Sequence, residues 1–203
     1  MSEGFSLTNS TLFEIIHSDV NRYGRGEERF LITLLRNLYL HPSLLGVIYY
    51  RIGNRLWRFN HNLFILPLII LYRAFYPFIR MYSGLEISMR TDIGPGLCIL
   101  HFGPTVIHPD VKAGTNLTLL HGVTIGEAKN GTPQIGDNVS VGIGVSIIGK
   151  VKIGDNVNIG AGAVVSNDIP SNCTAVGIPA RPISKTVHVA DEHGETSNLS
   201  LPD

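Results

Sequence analysis

The chain has 203 residues, 44% of them hydrophobic, with 16 basic and 16 acidic side chains that cancel to a formal net charge of zero. That length and apolar content fit one domain, or one plus an appendage, and the missing basic field excludes non-specific attraction to nucleic acid. Two cysteines, Cys98 and Cys173, cannot build a disulfide framework, so a reducing, cytoplasmic compartment and packed rather than nucleophilic thiols are expected.

The opening "MSEGFSLTNS" lacks the basic start and apolar run of a signal peptide. Residues 1–83 hold nearly all the aromatic side chains and show helical spacing. "ERFLITLLRNLYL" predicts a helix with Phe30, Leu31, Leu34, Leu35 and Leu38 on one face. "HPSLLGVIYYRIGNRLWRF" predicts another, with Pro42 near its start and Leu45, Ile48, Ile52 and Leu56 facing inward. In "NLFILPLIILYRAFYPFIRMY", the unbroken run Leu63–Tyr72 is shorter than the ~20 residues a spanning helix needs, and Arg73, Arg80, Pro67 and Pro77 interrupt it. It reads as a buried or oligomer-facing helix, or as an amphipathic surface resting on the inner face of a membrane.

From Gly84 the chain turns glycine-rich and β-branched. In "IGDNVSVGIGVSIIGKVKIGDNVNIGAGAVV", residues 135–165, an aliphatic residue returns every six positions. Six is a multiple of the strand period of two but not of the helical 3.6. Counting back in sixes gives Ile87, Ile93, Ile99, Thr105, Val111, Leu117, Val123, Lys129 and Ile135, and forward Val141, Ile147, Ile153, Ile159 and Val165. "IGDN" at 135 recurs at 153, three hexads on, so residues 18 apart should stack in a three-sided parallel β-helix over 84–185. Lys129 in a core slot, with Pro133 close by, predicts that the single irregular place, Val123–Ile135, throws out a loop. The polar tail 186–203, "TVHVADEHGETSNLSLPD", is expected to be mobile.

"SGLEISMRTDIGPGLCILHFG", "LLHGVTIG", the 135–165 repeats and the closing "AVGIPARPI" resemble the hexapeptide-repeat acyltransferases, and within them the serine acetyltransferase branch. The resemblance covers roughly residues 30–185. It implies a left-handed β-helix behind a small α-helical region, packed as a homotrimer or hexamer, with the active site in the groove between two chains. It implies acetyl-CoA as co-substrate and no metal. His101 matches the general base, and Glu86, 15 residues earlier, the carboxylate that orients it. An imidazole with a pKa near 6.5 suits removal of a hydroxyl proton at neutral pH, and a carboxylate on its second nitrogen would fix the tautomer.

Along the stacked coils Gly142, Gly144, Gly160 and Ala161 would let the pantetheine arm approach and be read by backbone amides, while Arg181 and Lys185 would meet the phosphates. A backbone N–H near Gly126 would steady the oxyanion. His121, at a corner of its hexad, reads as a packed, hydrogen-bonded histidine bordering the acceptor; His108 reads as surface. Two departures bear on the acceptor. The branch carries Asp directly before its catalytic His and a second His in the loop; here Leu100 and Thr132 stand there. Both missing groups help hold a zwitterionic amino acid, so binding of serine should weaken. Sugar and surface-polysaccharide O-acetyltransferases share the "HFG…GVTIG…GTPxIG" pattern, and a saccharide acceptor is expected. A serine acetyltransferase, a metal-dependent β-helix hydratase and a non-catalytic trimeric scaffold are the rival readings.

Overall fold

The computed structural model describes residues 11–24, 29–59, 63–184, 188–190 and 196–198. Helix α1 (Leu12–Asn21) opens with a capping box: Thr11 Oγ1 accepts from the Glu14 N–H, and the Glu14 carboxylate accepts from the Thr11 N–H. Helices α2 (Phe30–Leu40) and α3 (Pro42–Arg58) follow, the second with Pro42 in its first turn. The predicted faces are each partly rotated. Phe30, Leu34 and Leu38 do pack inward, but Leu31 and Leu35 are exposed, because Thr33 and Asn37 take the neighbouring buried positions. On α3 the buried line is Leu44, Val47, Tyr50 and Arg51, while Ile52 faces out.

A 3-10 turn at Leu63–Ile65 leads into α4 (Leu66–Ser83), which runs through Pro77 and stops at Gly84 in the left-handed region, φ 72°. The expectation of a buried helix fails within the chain. Only a narrow stripe, Ile69, Tyr72 and Ser83, is buried, and Phe64, Phe75, Phe78 and Met81 are all more than half exposed. The 21 residues Leu63–Ser83 are long and apolar enough to cross a membrane by length and composition.

Short strands then wind a parallel β-solenoid of hexapeptide repeats, consistent with the left-handed β-helix expected. The first turn contains β1 (Leu85–Ile87), β2 (Asp92–Ile93) and β3 (Cys98–Ile99). The second contains β4 (Thr105–Ile107), β5 (Lys112–Ala113) and β6 (Thr118–Leu119), and the third β7 (Thr124–Gly126), β8 (Gln134–Ile135) and β9 (Ser140–Val141). The fourth contains β10 (Ser146–Ile148), β11 (Lys152–Ile153) and β12 (Asn158–Ile159). Strand β13 (Val164–Val165) begins a fifth, closed by an antiparallel hairpin of β14 (Cys173–Gly177) and β15 (Ala180–Ser184). Beyond it, β16 (His188–Ala190) pairs with β17 (Thr196–Asn198), and the remaining tail lies outside the described residues.

Three faces result. Face 1 stacks β1, β4, β7, β10 and β13; face 2 stacks β2, β5, β8 and β11; face 3 stacks β3, β6, β9, β12 and β14. The inner columns, with Ile87, Ile107, Ile125, Ile147 and Val165 on face 1 and Ile99 and Leu119 on face 3, are buried throughout. No turn could bury these columns alone, so the turns are stable only as a stack.

The 18-residue spacing holds for only part of the stack. Ile107 pairs with Ile125 and Ile147 with Val165, but Ile87 pairs with Ile107, 20 residues on, and Ile125 with Ile147, 22 on. Two residues are inserted at Leu100–Pro104 and four at Glu127–Pro133. Together they equal one hexad, which restores the phase by Ile135. Thr105, Val111, Leu117 and Val123 are therefore buried two residues ahead of the column in which the count placed them. The loop at 127–133 is real, with Lys129 exposed, and the corner at 100–104 is a second irregularity.

The edge between faces 2 and 3 explains "IGDN". Asn116, Asn138, Asn156 and Asn172 all lie in the left-handed region, which asparagine tolerates. Each of the first three donates its side-chain amide to the Oδ1 of the next, at 3.0, 3.1 and 3.0 Å. Asp137 Oδ1 accepts from the Thr115 N–H at 2.6 Å, and Asp155 Oδ1 from the Asp137 N–H at 2.8 Å. The glycine of the motif makes room: a Cβ on Gly136 would sit 2.3 Å from Asp155 Oδ1.

The helices close the open end of the first turn, whose outer backbone groups would otherwise be an unpaired edge. Tyr23 Oη donates to the Ile99 carbonyl and accepts from the Ile99 N–H, and Ser43 Oγ donates to the same carbonyl. Tyr50 Oη donates to the Thr91 carbonyl. Arg51 donates to the Ile93 and Gly94 carbonyls, and Asp19 accepts from the Gly96 and Leu97 N–H groups.

Candidate active site

The edge between faces 3 and 1 is built from four stacked corners, 100–104, 120–123, 142–145 and 160–163. His101 stands on the first, His121 on the second, Gly142 and Gly144 on the third, and Gly160 and Ala161 on the fourth. Six of the predicted site residues thus fall in one line, rising ~4.8 Å per turn.

His101 is exposed and holds φ 67°, a conformation costly for a residue with a Cβ. Every other corner of this edge also carries one left-handed residue, Gly122, Gly144 and Gly162; here it is the histidine. No hydrogen bond among the described residues engages its ring. Its ring meets that of His121 edge to face, centroids 5.9 Å apart. His121 is half-buried, but not the hydrogen-bonded histidine expected: its Nδ1 is buried without a partner. Gly103 makes the stacking of the two corners possible, since a Cβ there would lie 2.7 Å from His121 Cβ.

A third imidazole went unnoticed in the sequence. His41, between α2 and α3, is held below its ordinary pKa by burial and then by charge on His101. Nothing in "LYLHPS" signals this, because only the docking of the helices on the first turn brings it near.

Glu86 projects from β1, exposed, and its carboxylate pairs with Arg80 at 3.0 Å. Among the described residues it makes no hydrogen bond to His101. An imidazole–carboxylate pair forms elsewhere: His108, not a free surface residue but half-buried, sits 3.3 Å from Glu127 through Nε2 and accepts the Asp110 N–H at Nδ1. That pair stands on the edge between faces 1 and 2. Thr132 is on the same edge, its hydroxyl donating to the Asp110 carbonyl at 3.1 Å. Gly126 ends β7 beside it.

The glycines differ in why they are glycine. Gly142 would collide with Ala161 N at 2.7 Å and Gly160 with Val176 Cγ1 at 2.8 Å, while Gly144 holds φ 66°. Their amides are used inside the solenoid: Gly142 donates to Ile159, Gly144 to His121 and Gly160 to Ala175. They therefore offer clearance rather than donors to a ligand. The Ala161 N–H makes no hydrogen bond among the described residues. A Cβ on Gly144 would meet nothing within 4 Å, so the surface is left bare there, as a closely approaching pantetheine arm would require. The same room exists at Gly126, but that residue stands on the edge away from His101, so the structure does not bring it to this line. Beyond Gly160 the line continues over Val176 to its cross-strand partner Arg181, which is exposed. Lys185 lies outside the described residues.

Leu100, where the branch has Asp, packs against the helical cluster of Val20, Tyr23 and Leu44. The substitution is thus part of the joint between helices and solenoid.

Comparison with known proteins agrees with this architecture. The family described as bacterial transferase hexapeptide (six repeats) matches residues 132–167. The serine acetyltransferase of Helicobacter pylori J99 is 35% identical over 152 residues, 73% of this chain and 85% of that protein. WcaB of Escherichia coli K12, named as a colanic acid biosynthesis acetyltransferase, is 38% identical over 143 residues, 66% of this chain and 86% of that protein. Soybean serine acetyltransferase complexed with serine superposes with a TM-score of 0.72 at 29% identity, covering 85% of this chain and 69% of that one. The stacked corners and these relatives together place the chain among the hexapeptide-repeat acyltransferases, in the branch that holds the serine acetyltransferases.

Proposed function

We propose that this acyltransferase moves the acetyl group of acetyl-CoA to a hydroxyl of a saccharide. The observation that carries the reading is the single line of corners that sets His101 at one end of a track of small residues leading toward Arg181. His101 takes the proton of the acceptor hydroxyl as its oxygen attacks the thioester carbonyl. The carbon–sulfur bond breaks, and His101 passes the proton to the departing thiolate. His121 borders the acceptor, and Glu86 turns from Arg80 to orient His101.

Leu100 and Thr132 support a saccharide over an amino acid, because neither offers a charge to a zwitterion. The WcaB relative supports it too. L-serine is the second reading, favoured by the serine acetyltransferase relatives.

Three chains pack side by side, with the edge of His101 facing a neighbour. Phe102 and Ile143 on that edge, 60% and 44% exposed, supply apolar contacts for such a seam. The test is release of CoA with L-serine, nucleotide sugars and polysaccharide fragments as acceptors. Turnover with a saccharide and not with serine is the expected result; turnover confined to serine overturns the saccharide reading.

A further inference from the structure

Helix α4 is built the wrong way round for water. Its buried stripe is narrow, and at 100° per residue the apolar side chains Leu68, Leu71, Phe75, Phe78, Met81 and Ile70 sweep an exposed arc of about 160°. Leu71, Phe75, Phe78 and Met81 are 54%, 54%, 64% and 77% exposed. Between Phe59 and Leu85 the sequence contains no acidic residue, and its two charges, Arg73 and Arg80, lie seven positions apart along one flank of the arc. Arg73 has no ion pair among the described residues.

Beside that flank a crevice opens, lined by Trp57, Tyr72, Arg73, Tyr76, Ser88 and Arg90. It presents an indole and two guanidinium groups, of which Arg90 lies 5.9 Å over the Trp57 ring and pairs with Asp110 at 3.1 Å, so Arg73 is the charge left for an anion. Arginine beside amphipathic aromatics is the chemistry of the lipid headgroup layer.

We propose that α4 lies in the surface of an anionic bilayer, its arc among the acyl chains and Arg73 at the headgroup phosphates. The helix does not cross the bilayer. Its buried stripe is fixed to α3, where Tyr72 fills the space a side chain at Gly53 would need, and its C-terminus passes straight into the rigid solenoid. A second copy of the chain fits this surface worse. An α4 helix from a second copy brings arginine but no carboxylate to meet arginine. Because Gly84 packs against Gly103 and its carbonyl accepts the Thr105 N–H at 3.0 Å, docking would hold the corner of His101 close to the lipid surface. The proposal does not depend on which acceptor is acetylated.

The test is co-sedimentation of the full chain with vesicles of phosphatidylcholine, alone or mixed with phosphatidylglycerol. Binding to the mixed vesicles is expected, at least about fivefold tighter than to phosphatidylcholine alone, with Arg73→Glu removing that difference. The exposed double substitution Leu71→Glu/Phe78→Glu should lose at least about tenfold in binding while keeping the wild-type melting temperature. Its mass by sedimentation in lipid-free buffer should also be unchanged. Absence of binding to either vesicle overturns the proposal. So does undiminished binding of the double variant, or a wild-type assembly in buffer that the double variant splits, since α4 would then already be covered by another copy.

Discussion

Asp19 on α1 and Arg51 on α3 form a two-pronged ion pair, Nε to Oδ2 at 2.7 Å and Nη2 to Oδ1 at 3.0 Å, with both side chains out of solvent. Every further lone pair and proton used by the pair goes to the first solenoid turn. Replacing one partner strands a buried charge beside unpaired backbone groups. Arg51→Met should therefore lose about 3–5 kcal/mol of stability. The double variant Asp19→Asn/Arg51→Met should lose less than the sum of the single variants, which chemical denaturation of all three would show.

His101 carries two separable demands, chemistry and an unusual backbone. His101→Ala should lower acetyl transfer on the order of 100-fold or more. His101→Gly should lower it as far, yet be more stable than the alanine variant by about 1 kcal/mol, because glycine accepts φ 67° without a Cβ penalty. His108→Ala, which breaks the pair with Glu127 on the other edge, should leave turnover near wild type. Turnover and melting curves of the three variants decide the assignment, and full activity in either His101 variant would remove it.

Gly126 and Gly142 should respond differently to alanine. At Gly142 the new methyl meets backbone 2.7 Å away, so stability should fall by about 1–3 kcal/mol. At Gly126, on the edge away from His101, the chain itself has room, so the melting temperature and the KM for acetyl-CoA should both hold. A raised KM would place Gly126 against the ligand.

Burial pushes the Cys98 thiol up to about 11. Its folded value lies above the unfolded one near 8.5. The stability it contributes is thus complete below about pH 8.5 and is lost as pH rises through about 11. At pH 8 the thiolate is scarce and buried, and alkylation of Cys98 should follow unfolding rather than precede it. Mass spectrometry after iodoacetamide treatment, with and without denaturant, measures this directly.

The six-residue period made the solenoid legible because it is imposed by one physical requirement, an aliphatic column repeated at every corner. The same regularity concealed the slip at 100–104. Two inserted residues moved the column from Thr105 to Ile107, and valine or leucine also fills the next-but-one buried position, so either frame reads as apolar. Gly142, Gly144, Gly160 and Ala161 were legible as corner residues near His101, but not that most of their amides serve the ladder. His41 and the pairing of Glu86 with Arg80 depend on how helices dock, and no local pattern encodes that. The faces of α2 and α3 failed for a related reason. Asn37 and Arg51 are buried because they have polar partners on other elements, and a search for apolar stripes passes over them.

The asparagine row has a direction. Each amide points toward the C-terminal turn, so the row is a head-to-tail line of small dipoles parallel to the solenoid axis, with a spare acceptor at Asn116 and spare donors at Asn172. In the first turn Gly96, at φ 83°, occupies the same corner with no amide to give, and a Cβ there would sit 2.3 Å from Asn116 Oδ1. Another chain stacking on that end as if it were a further coil would lead with its Asn172 donors and find no side-chain acceptor at Gly96, on a turn the helices already cover.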